Sequence, residues 1–180
     1  MTPTLHRGIS TPPVLPTAEL GQWHVLHVKS RQEKALADDL AALRIGYYLP
    51  LIRVSRYYGK RKAMVDAPLF PGYVFMRGMR DDAYRADRTK RVANIIHVAD
   101  QRQIDWELRN IHMALSNRAS LDPYPFLTRG VRVEVRSGPL AGLQGIIADR
   151  TKADRLVLQV HILGAATSLE IDGAMLEVLD

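Results

Sequence analysis

Arg53, Arg56, Lys60, Arg61 and Lys62 crowd one short stretch of the chain, interleaved with Tyr57 and Tyr58. Cations at that density contact phosphates with little sequence preference, and tyrosines among them can stack on bases or sugars. The competing use of such a stretch is a solvated, solubilising hairpin. A second group, Arg85, Arg88, Lys90 and Arg91, crowds the end of a predicted helix, where the helix dipole favours cations whatever their function. The third feature is apolar: Pro68-Leu69-Phe70-Pro71-Gly72-Tyr73-Val74-Phe75. If Tyr73 and Phe75 share a strand face, they and Phe70 form a concentrated patch. It serves either as core or as an anchor for a partner helix.

Catalytic chemistry finds no footing. There is no G-x-S-x-G elbow and no G-x-x-x-x-G-K-[ST] loop. The glycine-rich run from Gly138 to Gly145 lacks G-x-G-x-x-G spacing and leads into Ile146-Ile147, a strand and not a phosphate-receiving helix N-terminus. It reads as a hairpin turn. His24 and His27 are three apart on a predicted strand and point to opposite faces, so they cannot share a metal. His97, His112 and His161 are singletons, and Asp38-Asp39 and Asp81-Asp82 read as solvated surface or cap residues. With no cysteine, thiol nucleophiles, disulfides and Cys-ligated metals are excluded. The expectation is a binding protein, not an enzyme, with no metal and no cofactor.

The composition fits: 180 residues, 47% hydrophobic and 24% charged, with a net charge of +6. That is ordinary globular material with enough apolar residues for a core. The charge is unevenly placed. Residues 21–118 carry 18 basic and 10 acidic side chains, whereas residues 129–180 carry 6 and 7. Two modules with different partners are expected, the first meeting a polyanion. No apolar run reaches the roughly 18 residues of a membrane span. The N-terminus does not read as a signal peptide, and a cytoplasmic protein is expected.

The elements that must position these residues follow from periodicity. Residues 1–20, rich in proline and without an apolar period, read as a disordered tail. Order is expected from Trp23, with a strand over 23–28. The Ser30/Glu33 spacing predicts a capping box, and Leu36, Leu40 and Leu43 line one face of the helix that follows, with Gly46 as its cap. Residues 47–57 and 61–67 read as a hairpin with Gly59 near the tip. Further on come a strand over 73–76, a short helix capped by Asp81 or Asp82, a strand over 94–98, and a helix with Ile104, Leu108, Ile111 and Leu115 on one face. This is an α+β arrangement of the split βαβ type, an antiparallel sheet with helices packed on one side. Residues 119–128, with Pro123 and Pro125, read as a semi-extended tether spanning at most about 30 Å. From residue 129 the period becomes 2. Five short strands in residues 129–180 predict a small all-β barrel.

These residues resemble the NusG family. Trp23-His24-Val25-Leu26-His27-Val28-Lys29, Gln32-Glu33, Tyr48-Leu49-Pro50, Gly59-Lys60-Arg61 and the run from Pro68 to Phe75 are similar to its N-terminal (NGN) domain, over 21–118. Gly130-Val131-Arg132-Val133, the run from Gly138 to Gly145, and Leu169-Glu170-Ile171-Asp172 are similar to its C-terminal KOW domain, an SH3-like barrel, over 129–180. The resemblance implies a transcription elongation or antitermination factor. By that likeness Phe70, Pro71, Gly72, Tyr73 and Phe75 receive the β′ clamp helices of RNA polymerase. Lys29, the hairpin cations Arg53, Arg56, Lys60, Arg61 and Lys62, and Lys90 and Arg91 face upstream or non-template DNA. Pausing or termination is thereby suppressed. The KOW residues Pro139, Leu140, Leu143, Ile162 and Leu163 match the loops that recruit Rho or the ribosomal protein also called NusE. A monomer with no membrane contact is implied.

Two departures favour a specialised, operon-selective member of the RfaH type. Arg91 stands where members commonly have glycine, and Leu140, Leu143 and Leu163 stand where housekeeping members often have phenylalanine. The alternative class is a ribosome-associated KOW-type RNA-binding protein, disfavoured by the missing basic charge of residues 129–180.

Overall fold

The computed structural model describes residues 14–152 and 154–180; residues 1–13, most of the expected tail, lie outside the described residues. In chain order the elements are β1 (Gln22–Val28), α1 (Glu33–Ala42), β2 (Gly46–Tyr48), β3 (Leu51–Tyr58), β4 (Arg61–Pro68), β5 (Tyr73–Gly78), α2 (Arg80–Asp87), β6 (Val92–His97) and α3 (Gln101–Ser116). They continue with β7 (Asp122–Tyr124), β8 (Val131–Val135), β9 (Gln144–Ile147), β10 (Arg155–Val160), β11 (Ala165–Glu170) and β12 (Leu176–Val178).

The first module is a four-stranded antiparallel sheet in the order β2-β5-β1-β6. Alternation along a strand sends successive side chains to opposite faces. Leu26, Val28, Val74 and Met76 therefore pack on Leu36 and Leu40 of α1 and Ala83 and Ala86 of α2. Trp23, Val25 and Phe75, with Tyr48, pack on Ile104, Leu108 and Ile111 of α3. Helices thus cover both faces, not one as expected, because β1 and β5 carry large apolar side chains on each face, Trp23, Val25 and Phe75 on one and Leu26, Val74 and Met76 on the other. A Trp23/Asp105/Arg77 network ties α3 to the sheet. Trp23 Nε1 and Arg77 Nη1 donate to Asp105 Oδ1 at 3.1 and 2.8 Å, and Arg109 Nε to Oδ2 at 2.7 Å.

Three local expectations change. Ser30 makes no capping box: Gln32 precedes the first turn of α1 and offers no side-chain cap, while Glu33 turns its carboxylate elsewhere. Gly46 is not the helix cap but the first residue of β2, where a Cβ would come within 2.7 Å of Leu20 Cδ1; Arg44, at φ 58, takes the left-handed turn. Packing also begins before Trp23, since Pro16 is buried and its carbonyl accepts from Arg77 Nη1.

The second module is a six-stranded antiparallel sheet, β12-β8-β9-β10-β11-β7, around Val133, Val135, Leu143, Ile147, Leu156, Leu158 and Leu169. Its sixth strand comes from the segment read as a tether. Asp122, Pro123 and Tyr124 pair with Ser168, Thr167 and Ala166 of β11. Pro123 is tolerated because β7 is an edge strand.

Nor do the modules stand apart. Helix α3 lies against β10. Trp106 Nε1 donates to Gln144 Oε1 at 2.9 Å, and Gln144 N donates to Asn110 Oδ1 at 2.8 Å. Arg132 sits 4.8 Å from the centre of the Trp106 ring. His161 donates its backbone N–H to the buried Glu107 Oε1 at 3.1 Å and meets the same oxygen through Nδ1. A packed, hydrogen-bonded interface replaces the expected free tether.

Candidate functional site

The Phe70–Phe75 segment divides into a foundation and a presented edge. Phe70 and Phe75 are buried, their rings edge to face with centroids 6.1 Å apart. Phe75 faces α3 and is fully enclosed, so it supports the surface and does not form it. Phe70, at 6% exposure, does largely the same. Strand alternation sends Phe75 into the face that α3 closes, and Phe70, in the bend before β5, packs into the same core. Pro71 is exposed, and Gly72 and Tyr73 are half-buried.

The turn between them is held at three points. Gly72 donates its N–H to Glu33 Oε1 at 2.8 Å and accepts from Val28 N at 2.8 Å. Tyr73 N donates to Phe70 O at 3.2 Å. Gly72 has φ +90 with only the His27 ring within 4 Å of a would-be Cβ, so the backbone angle, not crowding, requires glycine. Tyr73 stacks on His27, centroids 5.2 Å apart and planes 27° from parallel, with the two residues paired across β1 and β5. Glu33 and His27 hold this candidate edge, and patterning does not single them out. Its spacing from Ser30 makes Glu33 look like a helix cap, and the outward position of His27 opposite Tyr73 becomes meaningful only with the strand register.

The hairpin forms as expected: β3 and β4 pair with each other and, among the described residues, with no further strand. Gly59, at φ +63, makes the turn. The register places Arg53, Ser55 and Tyr57 with Asp66, Met64 and Lys62 on one face. Arg56 and Tyr58 share the other face with Ala63 and Arg61. The base is anchored, with Leu51 packing on the α1 core, Ile52 on the α3 core, and Leu69 N donating to Pro50 O at 2.8 Å. All five cations are exposed. Arg53 Nε lies 3.9 Å from Asp66 Oδ1, a solvent-screened pair that leaves its charge largely available.

The remaining expected DNA contacts separate. Lys29 and Lys90 are exposed, and Lys29 N donates to Arg91 O at 2.9 Å, which brings their backbones together. Arg91 is different. Its Nε donates to Asp39 Oδ2 at 2.7 Å and its Nη1 donates to Gln32 Oε1. The guanidinium is spent tying β6 to α1, so Arg91 is a brace and not a free phosphate ligand. Arg85 likewise pairs with Asp82 and donates to Leu43 O.

In the second module Pro139 is exposed, and Leu140, Ile162 and Leu163 are half-buried. Leu143, expected among the loop residues that recruit a partner, is fully buried. Its N–H donates to Leu140 O and its carbonyl accepts from Val135 N, both at 2.9 Å, which folds the side chain into the core. Ile162 and Leu163 belong to the 3-10 turn His161–Leu163, whose first residue is the one held by Glu107.

Among the described residues no group of three or more His, Asp or Glu side chains is placed to hold a metal, and no helix is long and apolar enough to cross a membrane.

Residues 21–111 match the family model described as transcription termination factor nusG. Two curated relatives, the transcription termination/antitermination proteins NusG of Rickettsia typhi and Rickettsia prowazekii, are each 24% identical over 178 residues, covering 88% of this chain and 92% of theirs. The Thermotoga maritima NusG structure, solved in a study of domain interaction, is 22% identical with a TM-score of 0.43, covering 91% of this chain and all of that one. The family match spans half of the chain and falls on the module that carries the Glu33–Gly72 turn and the basic hairpin; the chain belongs to the NusG family of transcription termination/antitermination factors.

Proposed function

We propose that the first module binds the clamp helices of the RNA polymerase β′ subunit through the edge formed by Pro71, Gly72, Tyr73 and His27. Phe70 and Phe75 hold that edge from beneath. In this reading the hairpin cations, with Lys29 and Lys90, contact upstream or non-template DNA, and bound in this way the protein suppresses pausing or termination. The observation that carries the reading is the clamped turn. A glycine with positive φ, fixed by a buried carboxylate, presents an aromatic residue to solvent where strand pairing alone would not require one. Aromatic anchors on rigid elements carry a large share of interface energy.

The second module recruits a further factor through Pro139, Leu140, Ile162 and Leu163, with Rho and NusE as the candidates. Arg91 where members commonly have glycine, and Leu140 and Leu163 where housekeeping members often have phenylalanine, favour a specialised, operon-selective member over a housekeeping one. Such a protein acts as a cytoplasmic monomer. The test is binding of the full chain to a β′ clamp-helix fragment. Tyr73→Ala should weaken it roughly thirtyfold, about 2 kcal/mol, and undiminished binding by that variant refutes the assignment.

A further inference from the structure

The strand register brings together two histidines that lie far apart in the sequence. His24 of β1 and His97 of β6 are direct partners across the antiparallel ladder. Residues so placed project from the same face, with Cβ atoms about 4.5–5.5 Å apart. That face is the one on which Leu26 and Ile95, the next pair along it, pack against the α1 and α2 core. Strand β6 is the outer strand of the sheet. His97 is its last residue and exposed, and His24 beside it is half-buried. The pair therefore stands at the rim of the sheet, reachable from solvent.

The His24 ring is already set for a ligand. Its Nδ1 lies 3.1 Å from the carbonyl oxygen of Gln22. A carbonyl only accepts, so Nδ1 carries the proton and Nε2 keeps its lone pair. Metal-ligating histidines are oriented in this way, one ring nitrogen donating to a backbone carbonyl and the other bare. Burial lowers the His24 pKa below its ordinary value; the Gln22 carbonyl and Asp82 oppose this and His97 reinforces it. The ring is accordingly neutral at neutral pH, the form that a metal needs. Asp82 itself is engaged elsewhere, its Oδ1 accepting from Arg85 and its Oδ2 from Met79 N at 2.8 Å. It supplies negative charge near the pair and not a third bond.

This chemistry selects one class of ion. Imidazole suits zinc, copper and nickel, whereas magnesium and calcium take oxygen ligands. Zinc–nitrogen bonds of about 2.0–2.1 Å place two ligating nitrogens roughly 3.3 Å apart at the tetrahedral angle, a gap that side chains on facing Cβ atoms can close. We infer that His24 and His97 form a two-histidine site for a divalent transition metal ion, zinc in the first instance, with water in the remaining positions. The site is independent of the polymerase and DNA contacts proposed above. A bound ion ties the outer strand β6 to β1 at the point where the chain leaves the sheet for α3.

The test titrates the full chain, stripped of metal by a chelator, with zinc chloride in a calorimeter near neutral pH. Zinc should bind saturably and raise the melting temperature, and magnesium should do neither. His24→Ala and His97→Ala should each weaken zinc binding at least about tenfold and remove the thermal shift. Because His24 is half-buried, His24→Gln accompanies it; its metal-free melt should lie close to that of the parent, with zinc binding lost all the same. His27→Ala, on β1 but on the opposite face, should bind zinc as the parent does. Absence of saturable zinc binding overturns the site. So does binding that survives in both the His24 and His97 variants, or that falls equally in His27→Ala.

Discussion

The carboxylate of Glu107, 3% exposed in the middle of α3, accepts the backbone N–H of His161 at 3.1 Å and meets the imidazole Nδ1 of the same residue. One buried oxygen thus joins the two modules, and Gln103 Nε2 donates to it at 2.9 Å. Replacing one partner strands the other, and an unsatisfied buried group costs about 1–3 kcal/mol. Glu107→Gln keeps the volume and loses the charge. It should shift the chain towards an undocked form, seen as faster hydrogen exchange along β10 with little change in β1 and β5. Equal exchange in the variant and the parent would mean that the polar contacts do not hold the docked arrangement.

The Trp106/Gln144 contact lies on the same interface, so it offers an independent check. Gln144→Ala removes both the acceptor for Trp106 Nε1 and the donor to Glu134. Tryptophan fluorescence should then report a more solvated Trp106, while Trp23 remains enclosed. An unaltered spectrum counts against the contact.

Phe70 and Tyr73 should separate stability from binding. Phe70 is core, and its truncation should cost about 3–5 kcal/mol of stability. Tyr73 is half-exposed on a stacked pair with His27, so Tyr73→Ala should melt close to the parent while losing clamp-helix binding. Glu33→Ala should follow Tyr73 in binding through release of the Gly72 turn. A thermal melt beside a titration resolves the three variants. A Tyr73→Ala protein that unfolds with Phe70→Ala would place Tyr73 in the core.

Asp105 makes a pH prediction. Burial raises its pKa, but hydrogen bonds from Trp23, Arg77 and Arg109 outweigh that and hold it below the ordinary carboxylate value. A depressed folded pKa contributes stability that is present above the unfolded value, near 3.9, and is lost as pH falls through the folded one. Asp105→Asn should therefore destabilise the protein at pH 7, with the difference from the parent shrinking below about pH 4. Denaturant midpoints at several pH values measure it, and a gap independent of pH contradicts the account.

Fragment design depends on β7. A chain of residues 126–180 lacks the strand that pairs with β11 at Ala166, Thr167 and Ser168 and leaves that edge open. Residues 119–180 should fold more stably than residues 126–180, by circular dichroism and urea titration. Equal stability would make β7 dispensable.

Much of this molecule is determined by local pattern. The 3.6-residue period of Ile104, Leu108 and Ile111 marks α3, the alternation of Val131, Val133 and Val135 marks β8, and Gly59 between two β-rich runs marks the hairpin with its load of cations. These signals are legible because each depends on a residue's neighbours in the chain. What the tertiary structure alone decided depends on partners far away in sequence. Glu33 serves Gly72 and not its own helix, and Arg91 spends its charge on Asp39. Leu143 turns inward, and Asp122–Tyr124 becomes a strand because β11 has a free edge beside it. The docking of α3 on β10 belongs to the same class. Trp106, Glu107 and Asn110 are unremarkable on a helical wheel, and only the approach of Gln144 and His161 gives their polar atoms something to bond.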